Sequence, residues 1–147
     1  MMKLAVGCDH AGYEAPQPYM PAIIGHLAGL GHEVIHVGTY GPESVDYPDF
    51  ADKVCAAILE GRAERGVLLC GTGIGVSIAA NRHRAIRAAV CATPDMARLS
   101  REHNDANIIC VGRRILTLDL CMELLNIWLE TPFSGGERHC RRVEKMG

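Results

Sequence analysis

Five short apolar runs, each followed by a longer stretch at helical spacing, constrain this chain more than any other feature. The runs cover residues 3–8, 33–37, 66–69, 88–91 and 108–111 and are continuously apolar or nearly so. That pattern fits strands buried on both faces, as in a parallel sheet, rather than strands with one wet face. Between them, helical periodicity is expected over 21–29, 47–60, 74–80, 94–103 and 117–130. Alternation of this kind predicts an α/β fold: a three-layer α/β/α sandwich around a Rossmann-like, five-stranded parallel sheet. No repeat, low-complexity segment or linker divides the 147 residues, so 1–147 is read as one domain.

Helix starts carry local signals. Thr93-Pro94-Asp95 offers a capping hydroxyl followed by proline in the first turn, and Asp46-Tyr47-Pro48 is a similar arrangement. Pro16, Pro18 and Pro21 delay the first helix, because proline is tolerated only in a helix's first turn. The segment from Ser134 onward contains a Gly135-Gly136 break and is basic, an ordinary solvated end on its residues alone.

Composition excludes several classes. Hydrophobic residues make up 48%, enough to build a core. The net charge of −2 argues against nucleic acid or an anionic membrane as principal partner. No apolar run approaches the roughly 18–20 residues that span a bilayer, and the first ten residues read as a strand rather than a secretory signal. The seven cysteines are odd in number and form no C-x-x-C pair. A disulfide framework or structural zinc site is therefore not expected, and a cytoplasmic location is.

In open α/β sheets, ligands bind beyond the carboxyl ends of the strands. That rule selects Asp9 and His10 after the first run, Cys70 to Gly75 after the third, and Arg113-Arg114 after the fifth. Cys70-Gly71-Thr72-Gly73-Ile74-Gly75 turns from strand to helix with three glycines, so that backbone N–H groups can converge on an anionic oxygen. It lacks the lysine of a P-loop, the acid that closes the next strand in a dinucleotide fold, and the arginine of a cysteine-phosphatase loop, where Val76 stands. What remains is an anion hole with a thiol at its mouth. Cys70 on its residues is either a small strand-end hydrophobe or a functional thiol placed where backbone donors favour the thiolate. Cys8, Cys91 and Cys110 are read as hydrophobes.

Gly7-Cys8-Asp9-His10-Ala11-Gly12-Tyr13, Asp46-Tyr47-Pro48, Cys70 to Gly75, Arg101-Glu102-His103-Asn104-Asp105-Ala106-Asn107, and Gly136-Glu137-Arg138-His139 with Arg142-Val143 together resemble the type B ribose-5-phosphate isomerases. The resemblance runs in one register from residue 3 to the end. It implies an aldose–ketose isomerase of the pentose phosphate pathway that interconverts ribose 5-phosphate and ribulose 5-phosphate through an enediolate, with no metal or cofactor. It further implies a homodimer or tetramer whose sites are shared between subunits.

Carried over by residue, the resemblance makes Cys70 the base that moves a proton between C1 and C2. A subgroup carries Glu in place of Val76 and lacks the cysteine base, so this chain resembles the cysteine branch. Gly71, Thr72, Gly73, Ile74 and Gly75 would hold the enediolate oxygen, with Thr72 assisting proton movement. His103 would open the sugar ring opposite Asp9. His10, Arg114, Arg138 and Arg142 would grip the phosphate, and Tyr47 and Asn104 would contact substrate. The three prolines depart from the family's pattern, as does Ala85, where relatives commonly carry Gly. The competing readings are an allose- or galactose-6-phosphate isomerase and a noncatalytic phosphosugar-binding module. A thiol redox or phosphatase enzyme is disfavoured by the missing C-x-x-C and by Val76.

Overall fold

The computed structural model describes residues 1–147. Its strands are β1 (Lys3–Cys8), β2 (Glu33–His36), β3 (Arg65–Cys70), β4 (Ala88–Val90) and β5 (Ile108–Gly112). They form one sheet in the order β2-β1-β3-β5-β4 with every pairing parallel. The helices are α1 (Tyr19–Gly29), α2 (Tyr47–Leu59), α3 (Ile74–Ala80), α4 (Pro94–Glu102), α5 (Leu118–Glu130) and α6 (Glu137–Met146), and His10–Tyr13 forms one 3₁₀ turn.

Strand periodicity builds two cores. Leu4, Val6, Val67, Leu69, Ile109 and Val111 face the layer that holds α1, α4 and α5, where Met20, Leu124 and Trp128 are fully buried. Ala5, Leu68, Cys70, Ile108 and Cys110 face α2 and α3, against Val54, Val76 and Ala80. The expected three-layer sandwich is therefore present.

Several boundaries differ from expectation. α1 begins at Tyr19 rather than Pro21, because Pro18 occupies the capping position and Pro21 falls within the first turn, where its missing N–H has no partner to lose. Thr93 caps α4 by accepting the Met96 N–H at 3.2 Å, and Thr117 caps α5 through Leu120 N–H at 3.2 Å. Asp46 precedes α2 without a capping bond. The basic tail forms a helix, α6, whose single buried side chain is His139. Ala85 takes a left-handed φ of 71°, the conformation that a glycine would hold without steric cost.

The chain direction reverses its lateral course at β1 and β3, which lie side by side. Their carboxyl ends open a crevice at this switch point.

Candidate active site

Cys70 ends β3 with its side chain turned toward α2 and α3 and only 5% of the residue exposed. Its sulfur accepts the Gly73 N–H at 3.2 Å. The other buried thiols behave differently. Cys8, Cys55 and Cys91 donate their S–H to carbonyls of Thr39, Ala80 and Ala89. Burial pushes Cys8 and Cys55 up to about 12 and Cys91 and Cys121 up to about 11, and it holds Cys110 well above the ordinary thiol range. All five remain protonated at neutral pH, as small hydrophobes do. Among the buried cysteines, Cys70 is the one whose sulfur accepts a backbone N–H.

The loop after Cys70 is shaped by steric necessity. Gly73 has φ 81°, and a Cβ there would sit 3.0 Å from the Val111 carbonyl carbon. With Gly73 N–H aimed at sulfur and Ile74 N–H bonded to Thr72 Oγ1 at 3.1 Å, these two donors are engaged internally. The N–H groups of Gly71, Thr72 and Gly75 donate to no backbone carbonyl. They are the loop's free donors, ahead of α3.

Around them lies a cleft of about 470 Å³, lined by Asp9, Tyr47, Cys70, Gly71, Thr72, Ile74, Gly75, Ile78 and Arg114. Asp9 is 6% exposed; its Oδ1 accepts the Ala11 N–H at 2.9 Å and so starts the 3₁₀ turn. His10 Nδ1 accepts the Val45 N–H at 3.2 Å, which assigns the ring proton of the neutral form to Nε2. Tyr47 crosses Gly75 so closely that a Cβ there would stand 2.6 Å from its ring. Arg114 is tied through its backbone to Gly71 at 2.9 Å and through its guanidinium to Glu14.

His103, Asn104, Arg138 and Arg142 are not brought to this cleft. Gly66 N–H donates to Asn107 at 2.9 Å, which places the His103–Asn107 turn at the amino edge of the sheet. Cys70 lies four strand residues further along, roughly 13 Å away at the carboxyl edge. At the amino edge, the His103 ring stacks on His139 of α6, and Asn104 lines a separate hollow with Asn81 and Met146. Sequence reasoning missed Ile78 and Glu14. Ile78 follows Ile74 by one helical turn, a spacing that could have found it. Glu14 carried no local signal.

The profile of the Ribose/Galactose Isomerase family matches residues 4–146. Ribose-5-phosphate isomerase B of Escherichia coli (strain K12) is 44% identical over 146 residues, covering 99% of this chain and 95% of that protein. D-erythrulose-4-phosphate isomerase of Pectobacterium atrosepticum is 37% identical over 149 residues, covering 100% and 94%. Among solved structures, ribose-5-phosphate isomerase B of Clostridium thermocellum superposes with a TM-score of 0.94 at 51% identity, covering 99% of this chain and 95% of that one. The Thermotoga maritima ribose 5-phosphate isomerase follows at 0.93 and 50%, covering 99% and 97%.

Proposed function

Because the chain belongs to the ribose/galactose isomerase family, we infer that it interconverts D-ribose 5-phosphate and D-ribulose 5-phosphate, with Cys70 as the base. The observation that carries the assignment of the base is the Gly73 N–H on the Cys70 sulfur, beside three unengaged backbone donors. A hydrogen bond to sulfur favours the thiolate, the form that accepts a proton from carbon.

His103 donates a proton to the ring oxygen of the furanose while Asp9 accepts the proton of the anomeric hydroxyl, leaving the open aldehyde. The Cys70 thiolate then removes the C2 proton, and the electron pair moves into a C1–C2 double bond as charge develops on O1. Gly71, Thr72 and Gly75 N–H groups stabilise that oxygen, a preorganised electrostatic contribution of the kind that dominates such steps. Thr72 passes a proton between O1 and O2, and the Cys70 thiol returns its proton to C1, giving the ketose. C1 is reduced as C2 is oxidised, so the isomerisation needs no external oxidant, and the proton that Asp9 takes up returns to His103 through solvent.

The phosphate is held by His10 and Arg114 on one side and by Arg138 and Arg142 on the other. Since His103, Asn104 and the two tail arginines lie at the far edge of the same chain, we place them in the cleft of a second copy, so that the working unit is a homodimer or a tetramer. This reading is supported by their distance from Cys70 along the sheet. Seven free cysteines fit a reducing cytoplasm, and no helix is long and apolar enough to cross a membrane. The test of substrate class is a kinetic comparison of ribose, allose and galactose phosphates on one sample. Ribose 5-phosphate should give the highest kcat/KM; preference for a hexose phosphate would move the chain to the other branch of its family.

A further inference from the structure

Arg114 projects from the loop after β5 with 57% of its side chain exposed. Packing against Gly71 alone constrains so long a side chain only in part, and ordering it when substrate arrives would weaken binding. Glu14 supplies the missing constraint. Its Oε1 accepts Arg114 Nε at 3.0 Å and also Nη2, and its Oε2 lies 3.4 Å from Nε. Oε1 thus bridges Nε and Nη2 along one edge of the planar guanidinium, with Oε2 in a longer contact to Nε, so the charged pair meets edge-on. The opposite edge is turned the other way: Nη1 lies 3.0 Å from the position of a Cβ on Gly71.

The two edges of Arg114 therefore have separate surroundings. Arg114 and Gly71 line the cleft; Glu14 does not and stands behind the arginine. The Arg114 guanidinium, together with Arg113 and His10 nearby, holds the Glu14 carboxyl below its usual range, so it stays charged at working pH.

We propose that Glu14 is a positioning residue for substrate binding: it grips the Nε/Nη2 edge of Arg114 and presents the Nη1 edge, over Gly71, to the phosphorylated sugar. This rests on the reading of Arg114 as a substrate contact and extends it to a residue which that reading does not include. Glu14 touches no reacting atom, so its effect passes through Arg114.

The test is a double-mutant cycle with Glu14→Ala, Arg114→Ala and the pair, measuring kcat and KM for ribose 5-phosphate. Glu14→Ala should raise KM about three- to tenfold, the scale of freeing one long side chain, with kcat within about twofold. Glu14→Gln keeps one acceptor oxygen and should fall between the wild type and Glu14→Ala. In the Arg114→Ala background, removing Glu14 should change KM no further. A KM that stays the same or falls in Glu14→Ala, while Arg114→Ala raises it, would overturn the proposal, a fall meaning that Glu14 competes with the phosphate. Additive effects in the double variant would also overturn it. If Arg114→Ala itself leaves KM unchanged, the parent reading of Arg114 fails and the proposal with it.

Discussion

The rings of His103 and His139 lie face to face, 4.4 Å between centroids and 10° from parallel, and this contact docks α6 against the end of α4. His139 is 8% exposed, the single buried side chain of a helix made mostly of charged residues.

Burial, and then the neighbouring Arg138, His103 and Arg142, hold His139 below the usual imidazole range. The folded chain therefore resists a proton that the unfolded chain accepts. Stability should be unaffected well above pH 6.5 and should fall as pH drops below it. His32 and His36 are held down mainly by burial and act with the same sign. His139→Phe keeps the stacked ring and removes one titrating group. Urea midpoints measured between about pH 7 and pH 5 should decline less steeply in this variant. Parallel curves would mean that His139 takes up its proton freely in the fold.

A site completed by a second copy makes a sharper prediction. Cys70→Ser and His103→Ala should each be nearly inactive, yet a mixture allowed to exchange subunits should recover activity. In a dimer with random pairing, half the molecules are mixed and each carries one intact site, so about a quarter of native activity should return. Mixtures as inactive as their components would show that Cys70 and His103 do not serve one site across an interface.

Gly112 ends β5 where a Cβ would meet the Thr72 carbonyl oxygen at 2.6 Å and its carbon at 2.7 Å. The obstruction is backbone, so Gly112→Ala must push the donor loop away from Cys70. Displacements of about 1 Å in such a constellation can cost on the order of a hundredfold in rate. Gly112→Ala should lose at least tenfold in kcat, roughly a tenth of that limit. Unchanged kcat would separate the donor loop from the chemistry.

How much of this was legible in the sequence depended on what each residue buries. The strands announced themselves because β1, β3 and β5 are covered on both faces and so read as short continuous apolar runs. α3 was legible to the residue, since Gly73 and Asn81 bracket its apolar stretch. α6 was not, because a helix that buries only His139 shows no apolar stripe. Pro18 and Pro21 misplaced the start of α1 by marking both sides of a helical first turn.

The carboxyl-edge half of the site followed from the switch-point rule and the glycine loop. His103, Arg138 and Arg142 came from family resemblance alone; within one chain nothing directs them toward Cys70. The engagement of Gly73 N–H with sulfur needed coordinates, since spacing does not say which loop donors are free.

The central claim is that the Cys70 sulfur carries the proton between C1 and C2. Cys70→Ser preserves size and replaces the thiol with a hydroxyl far too weakly acidic to ionise at neutral pH. Measured on ribose 5-phosphate, this variant should lose about 10²–10⁴ in kcat, the usual contribution of a general base, with KM within a few-fold. It should also fail to exchange solvent deuterium into the substrate. Near-native kcat in Cys70→Ser would contradict the account, returning Cys70 to the role of a small hydrophobe at the end of β3.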